Sequence, residues 1–174
     1  MSVWLKRYAS ASSAGSIVLW IVFFYSAMIS IDIVFHLYGA TIVLLLLFLT
    51  ALNDVGQYVF GKLFGRRPLA LKISPNKTLE GAIGGIIFTS FVSAILVSIL
   101  NIHHWVYGAI IGMVIAMAGI AGDLYISALK REVGVKDSGT IITGHGGIMD
   151  RMDSLLLSAP SLGLVLMFLH GISL

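Results

Sequence analysis

Acidic side chains stand beside apolar stretches at three places in this chain. Asp54 lies within one apolar run, Asp123 lies near the end of another, and Asp150 and Asp153, in the stretch GHGGIMDRMD, directly precede the last one. A carboxylate at membrane depth is costly, so such residues usually face a polar cavity or a partner. A single embedded aspartate could simply pair with a nearby lysine at the interface. Because acids approach from three separate apolar segments, the pattern favours a shared polar site.

Helical spacing places these acids on common faces. Asp123, Ser127 and Lys130 share one helix face, and Asp150 and Asp153 share another at positions i and i+3. Neighbouring carboxylates repel each other in a low dielectric unless a cation joins them. Hard oxygen donors suit Mg²⁺, which takes one or two carboxylates together with phosphate oxygens. We therefore expect a magnesium site, because five histidines and no cysteine offer little support for zinc.

Glycines and basic residues around the last acids indicate phosphate binding. Gly144, Gly146 and Gly147 allow a ligand to approach the backbone closely, and a helix N-terminus favours phosphate. Basic residues next to a membrane are often only topology determinants or contacts to anionic lipid. That explanation fits less well for bases interleaved with acids in a glycine-rich stretch. Together these features predict phosphoryl or nucleotidyl transfer to an amphiphilic substrate at the bilayer surface. The interleaved bases are Lys130, Lys136 and Arg151.

The elements that must position these residues are membrane helices. The 174 residues are 58% hydrophobic and only 11% charged, with a mean hydropathy of +1.00, which excludes a soluble domain of this length. Crossing a hydrocarbon core of roughly 30 Å requires about 20 apolar residues in a helix. Five runs qualify, so we predict an all-α integral membrane protein with about five transmembrane helices and one membrane domain over residues 1–174. The runs cover about 14–31, 37–60, 82–100, 105–126 and 154–173.

The basic residues predict the orientation of these spans. All eleven Lys and Arg residues fall at the N-terminus or in the two long loops, which lie on one side of a five-span protein. Because basic loops stay in the cytoplasm, we expect the N-terminus there and a polar cavity that opens to that face of the inner membrane. We expect the first apolar run to be a retained span and not a cleaved signal peptide. The basic residues are Lys6, Arg7, Lys62, Arg66, Arg67, Lys72, Lys77, Lys130, Arg131, Lys136 and Arg151.

Residues 127–153, SALKREVGVKDSGTIITGHGGIMDRMD, closely resemble the signature segment of the CDP-diacylglycerol synthases, also called phosphatidate cytidylyltransferases. Residues 53–85 resemble the other typical region of that family. The resemblance covers roughly residues 50–174, so we predict a catalytic region over 51–174 and an N-terminal span region, 1–50, outside the match. The signature positions that the chain keeps are Ser127, Lys130, Arg131, Lys136, Asp137, Gly139, His145, Gly146, Gly147, Asp150, Arg151 and Asp153.

The chain departs from the family pattern at three positions and in length. Thr143 stands where the family normally has proline, Leu79 replaces a usual tryptophan, and Asn53 occupies a position where alanine is common. None of these changes removes an expected ligand. Family members usually carry several additional N-terminal spans. Either the catalytic half suffices, or the further helices come from a second copy or a separate subunit.

The resemblance implies a reaction between CTP and phosphatidate that gives CDP-diacylglycerol and pyrophosphate, with Mg²⁺ as cofactor. It makes Asp123 and Asp150 metal ligands, with Asp153 close by and a second cation left open. It leaves two roles undecided: His145 contacts phosphate or stabilises a turn, and Asp54 is a third acidic contributor or a structural acceptor. The implied catalytic residues are Asp123, Lys130, Arg131, Lys136, Asp150 and Arg151. The implied substrate-binding residues are Ser74, Lys77, Thr78, Glu80, Ser127, His145, Gly146 and Gly147.

Other functions are compatible with parts of the same pattern. The substrate could be another lipid phosphate, such as an ether lipid, or the chain could be a non-catalytic subunit that depends on a partner. A transport protein would distribute acids through the membrane thickness, whereas every acid except Asp32 lies toward one face. We expect a homodimer and no nucleic-acid partner. The glycine pairs Gly81/Gly85 and Gly108/Gly112 predict close helix packing, within one protomer or between two.

Overall fold

The computed structural model describes residues 3–71, 73–132 and 153–172. Within these ranges the chain forms five helices and a short antiparallel hairpin, which agrees with the predicted helical membrane protein. The elements are α1 (Val3–Tyr38), α2 (Ala40–Phe64), β1 (Pro68–Ala70), β2 (Ser74–Thr78), α3 (Leu79–Ile99), α4 (Trp105–Glu132) and α5 (Leu155–Ile172).

Four of the described helices are long and apolar enough to cross a membrane. The spanning stretches are Ile21–Tyr38 in α1, Ala40–Phe64, Leu79–Ile99, and Trp105–Arg131 in α4. The apolar stretch of α5, Leu155–Leu169, is shorter. At 1.5 Å per residue it covers about 22 Å, which is less than the roughly 30 Å of a hydrocarbon core. A fifth span therefore stays a prediction.

The connection between the first two helices differs from the one expected. The first two apolar runs, about 14–31 and 37–60, leave a gap over residues 32–36, where we expected the turn between two spans, but α1 continues as a helix to Tyr38. The break falls at Gly39, whose backbone has a φ of 82°, a left-handed conformation that glycine adopts without strain. Asp32 and His36 lie one turn apart on this helix and form an exposed ion pair with an N–O distance of 3.6 Å. Because a local i, i+4 pair can satisfy both groups, neither residue has to end the helix.

Glycines bring α3 close to both of its neighbours. A Cβ atom at Gly85 would lie 2.8 Å from the side chain of Gln57 on α2, so only glycine permits this approach. On α4, a Cβ atom at Gly112 would lie 2.5 Å from the side chain of Ser93 on α3. Both glycine pairs therefore serve packing within one protomer, which answers the question that their spacing left open.

The hairpin that joins α2 to α3 was not part of the sequence prediction. Pro68 pairs with Thr78 and Ala70 pairs with Ser74 across the two strands. The strands PLA and SPNKT are only three and five residues long and lack the alternating apolar pattern that identifies a strand. Thr78 then ends β2 and caps α3, because its hydroxyl accepts the backbone N–H of Gly81 at 3.2 Å. The hairpin is thereby anchored to the start of a membrane helix.

Candidate active site

A polar cavity of about 290 Å³ lies between α2, the hairpin and α4. Its wall combines carboxylate, ammonium, hydroxyl and amide groups at one end of helices that are otherwise apolar. The three elements that form it are separated in sequence by up to about 70 residues, and the glycine contacts between α2, α3 and α4 bring them together. The lining residues are Asp54, Gln57, Tyr58, Ser74, Asn76, Lys77, Thr78 and Asp123.

Lys77 on β2 and Asp123 on α4 form an ion pair in this wall. Both side chains are largely withdrawn from solvent, with exposed fractions of 24% for Lys77 and 18% for Asp123. Burial lowers the pKa of the Lys77 ammonium, while the nearby carboxylates of Asp54 and Asp153 act in the opposite direction. Lys130 is also close enough to lower the pKa of Lys77. The electrostatic environment of Lys77 is therefore shaped by carboxylates from three different segments of the chain.

Asp54 connects α2 to the start of α5. The hydroxyl of Ser154 donates to the Asp54 carboxylate at 3.4 to 3.5 Å, and the amide of Gln57 donates to it at 3.4 Å. The adjacent Asp153 is 7% exposed, and its carboxylate accepts the backbone N–H of Ser154 at 2.7 Å. Asp54 thus lines the cavity and accepts hydrogen bonds from two side chains, and its part in the chemistry stays a prediction.

Asn53, one of the three departures from the family pattern, makes a contact between two helices of the site. Asn53 is 1% exposed, and its amide donates to the carbonyl of Ala116 on α4 at 3.4 Å. An alanine at this position could not make that contact. Asn53 therefore helps to hold α2, which carries Asp54, against α4, which carries Asp123. On α4 itself, the hydroxyl of Ser127 donates to Asp123 at 3.4 Å, as the i, i+4 spacing anticipates.

Two residues that the resemblance implies, Glu80 for substrate binding and Arg131 for catalysis, contact backbone groups outside the cavity. The Glu80 carboxylate accepts the backbone N–H groups of Arg66 and Arg67 at 3.0 and 3.1 Å, and it lines a separate hollow at the end of α2. The Arg131 guanidinium donates to the carbonyl of Ile73 at the tip of the hairpin, at 3.4 Å. In this structure Glu80 organises the exit from α2, and Arg131 ties α4 to the hairpin.

Several residues that line the cavity or contact its wall were not selected from the sequence. Gln57 and Tyr58 follow Asp54 at i+3 and i+4, so the helical spacing used for the other acids would have found them. Asn76 lies beside Lys77 on β2, and no strand was predicted there. Ser154 follows Asp153 directly, but only the packing of α5 against α2 brings its hydroxyl to Asp54.

A metal site cannot be assembled from the described residues alone. Within residues 3–71, 73–132 and 153–172, no three Asp, Glu, His or Cys side chains come close enough to hold an ion. The donors that are present, the carboxylates of Asp54, Asp123 and Asp153, are hard oxygen ligands of the kind that Mg²⁺ prefers. The remaining predicted residues lie outside the described part of the chain: Lys136, His145, Gly146, Gly147, Asp150 and Arg151.

Apolar spanning helices that border a cavity with a partly buried lysine–carboxylate pair define a membrane-embedded protein with a polar site at one end of its spans. Residues 2–169 match the sequence model of the cytidylyltransferase family, and the chain belongs to that family. The resemblance stated from the sequence is therefore confirmed. The matched region begins at residue 2, so it includes the first span as well.

Curated relatives support the same assignment. The chain is 42% identical over 133 residues to a phosphatidate cytidylyltransferase of Helicobacter pylori strain J99, covering 76% of this chain and 50% of that protein. It is 45% identical over 117 residues to a phosphatidate cytidylyltransferase of Staphylococcus saprophyticus, covering 66% and 45%. It is also 47% identical over 122 residues to the uncharacterized protein YnbB of Escherichia coli strain K12, covering 70% and 41%. The chain thus spans about half the length of the curated relatives that it matches.

Proposed function

We propose that this chain transfers a cytidylyl group from CTP to a lipid phosphate at the membrane surface. An oxygen of the lipid phosphate bonds to the α-phosphorus of CTP. The bond from that phosphorus to the bridging oxygen breaks, and pyrophosphate leaves with the electron pair. The observation that carries the proposal is the cavity in which Lys77, Asp123 and Asp54 meet, in a chain of the cytidylyltransferase family.

The described side chains around the cavity include positively charged groups for the phosphates and hydrogen-bonding groups that orient the substrate. Lys77 and the neighbouring Lys130 supply positive charge for the phosphates, and their electrostatic proximity supports a common anionic ligand. Ser74 and Asn76 offer hydrogen-bonding groups on the hairpin side of the cavity. Asp123 and Asp153, with Asp150, would hold Mg²⁺, which when bound neutralises charge on the departing pyrophosphate.

An amphiphilic acceptor fits the position of the cavity. Tyr58 lines the cavity and is 67% exposed, so its ring lies on the outer surface of a membrane-spanning helix. A lipid could therefore place its phosphate among the charged groups while its chains remain in the bilayer. We favour phosphatidate because matched relatives from two genera carry the name phosphatidate cytidylyltransferase. Another lipid phosphate, such as an ether lipid, remains the alternative, and a substrate panel separates the two.

We place the cavity at the cytoplasmic face of the inner membrane. The hairpin and the end of α4 carry basic residues that lie near the cavity, and positive loops are retained in the cytoplasm. Accessibility of a cysteine introduced at Arg66 to a membrane-impermeant reagent tests this orientation. Labelling in intact spheroplasts, from the outside, would overturn it.

The activity is tested with the purified chain in lipid nanodiscs, CTP labelled at the α-phosphate, phosphatidate and Mg²⁺. We expect labelled CDP-diacylglycerol, and a loss of about 100-fold or more in Asp123→Asn. The matched control is Asp32→Asn, which changes an exposed aspartate paired with His36 and should keep full activity. Equal turnover by Asp123→Asn and the unmodified chain would refute the assigned role.

A partner-dependent form of the same activity is the other alternative that the sequence left open. In that case the purified chain is inactive and gains turnover when it is combined with a second membrane subunit. Light scattering in detergent also tests the predicted homodimer. The glycine pairs do not support a dimer interface, because they are occupied by packing inside the protomer.

A further inference from the structure

Lys77 faces carboxylates that come from three separate segments of the chain. Its ammonium pairs with Asp123 on α4, and it also interacts electrostatically with Asp54 on α2 and with Asp153 just before α5. The lysine itself lies on β2, in the hairpin. One flexible side chain thus supplies positive charge to acids contributed by three elements. Its positive charge offsets part of the electrostatic repulsion between these carboxylates.

The same carboxylate oxygens are the groups that a divalent cation would need. An ammonium donates hydrogen bonds to the lone pairs through which a carboxylate binds a metal, and the two cations repel each other at short range. Asp123 therefore cannot bind a divalent cation with full strength while Lys77 is paired with it. The backbone beneath Lys77 is held in place, because the adjacent Thr78 caps α3. Only the lysine side chain has to move to release Asp123.

We propose that Lys77 is an exchangeable counter-ion: it holds Asp123 in the nucleotide-free protein, and it transfers to the phosphates of the nucleotide when Asp123 binds a divalent cation. This inference rests on the proposed function, since it assumes that metal and nucleotide share the cavity. The phosphates give the displaced ammonium a new anionic partner within the same wall. Nucleotide and metal must then strengthen each other's binding, and the coupling is reciprocal.

The test measures the affinity of Mn²⁺ for the full chain in nanodiscs by electron paramagnetic resonance, without nucleotide. We expect Lys77→Met to bind Mn²⁺ about tenfold more tightly than the unmodified chain, because its carboxylates no longer have a competing ammonium. The matched control is Lys62→Met, which removes an exposed cation 6.0 Å from the ring of Tyr58 and should leave the affinity unchanged. Equal Mn²⁺ affinity in Lys77→Met and the unmodified chain would overturn the exchange.

A second measurement tests the coupling. With the Mn²⁺–CTP complex in solution taken into account, CTP should tighten Mn²⁺ binding to the unmodified chain and should have a much smaller effect on Lys77→Met. If Lys77→Met weakens CTP binding but leaves the affinity for Mn²⁺ alone unchanged, Lys77 is only a phosphate ligand. The exchange is then wrong while the proposed function stands. An unmodified chain that binds neither CTP nor Mn²⁺ overturns both.

Removing Lys77 leaves negative charges uncompensated, so the folded state needs a separate control. The double variant Asp54→Asn/Lys77→Met removes one charge of each sign, and its unfolding temperature without Mn²⁺ shows whether the uncompensated charge of Lys77→Met affects the folded state. Thermal unfolding provides an independent readout, because a cation that binds the folded state more tightly raises its stability further. Mn²⁺ should therefore raise the unfolding temperature of Lys77→Met more than that of the unmodified chain. The reverse order would contradict the exchange.

Discussion

Gly122 offers the sharpest test of how the cavity is held together. It lies directly before Asp123, where α4 meets the start of α5. A Cβ atom at Gly122 would lie 2.7 Å from the carbonyl oxygen of Asp153, whereas ordinary contact begins at 3.4 Å. Gly122→Ala therefore forces this carbonyl to retreat by the difference between those distances, about 0.7 Å. The displacement carries Ser154 with it and weakens its hydrogen bond to Asp54, which is already 3.4 Å long.

The expected effect is larger on activity than on stability. Misplacement by about 1 Å can cost roughly 100-fold in rate, so a shift of this size should reduce cytidylyl transfer by about 10- to 100-fold. Overpacking costs about 1–3 kcal/mol, and the gain of up to about 1 kcal/mol from replacing a helical glycine offsets part of it. The assay combines transfer of label from CTP with thermal unfolding of the same preparation in nanodiscs.

Gly119 provides a matched control on the same helix. It lies one turn earlier, and a Cβ atom there would meet Asn53 and Ser154 at 3.6 to 3.8 Å, which is ordinary contact. Gly119→Ala should therefore keep activity within about twofold and be at least as stable as the unmodified chain, because alanine favours the helix. If both alanine variants lose activity equally, or if neither does, the contact between Gly122 and Asp153 is not what positions the site.

Two further predictions concern the hairpin. Thr78→Ala removes the hydroxyl that accepts the N–H of Gly81 and should lower the free energy of unfolding by about 1 kcal/mol, whereas Thr78→Ser keeps the cap. Denaturant unfolding measures the difference, and equal stability of the two variants would count against the cap. Arg131→Met removes the link to the carbonyl of Ile73 and should raise KM for CTP more than it lowers kcat, because the hairpin loses a contact with α4. A fall in kcat alone would instead indicate that Arg131 acts on the reacting phosphates.

The sequence by itself determined the properties that depend on neighbouring residues. Hydropathy identified the helical membrane protein, and the i, i+4 spacing anticipated the contact between Asp123 and Ser127. The signature segment identified the family, because its many spaced positions are read along the chain without knowledge of the fold. The short strands of the hairpin were missed because their pairing is set by partners in space and not by an apolar period along the chain.

Only the tertiary structure decided which of the candidate residues meet. Lys77 reaches Asp123, 46 positions later in the chain, because Thr78 anchors the hairpin to α3 and the glycines of α3 and α4 let those helices approach closely. By contrast, Glu80 stands only three residues from Lys77 but turns to the backbone of Arg66 and Arg67. Helical periodicity relates residues within one element, whereas the distance between elements depends on the side chains, or the lack of them, at the surfaces where they pack.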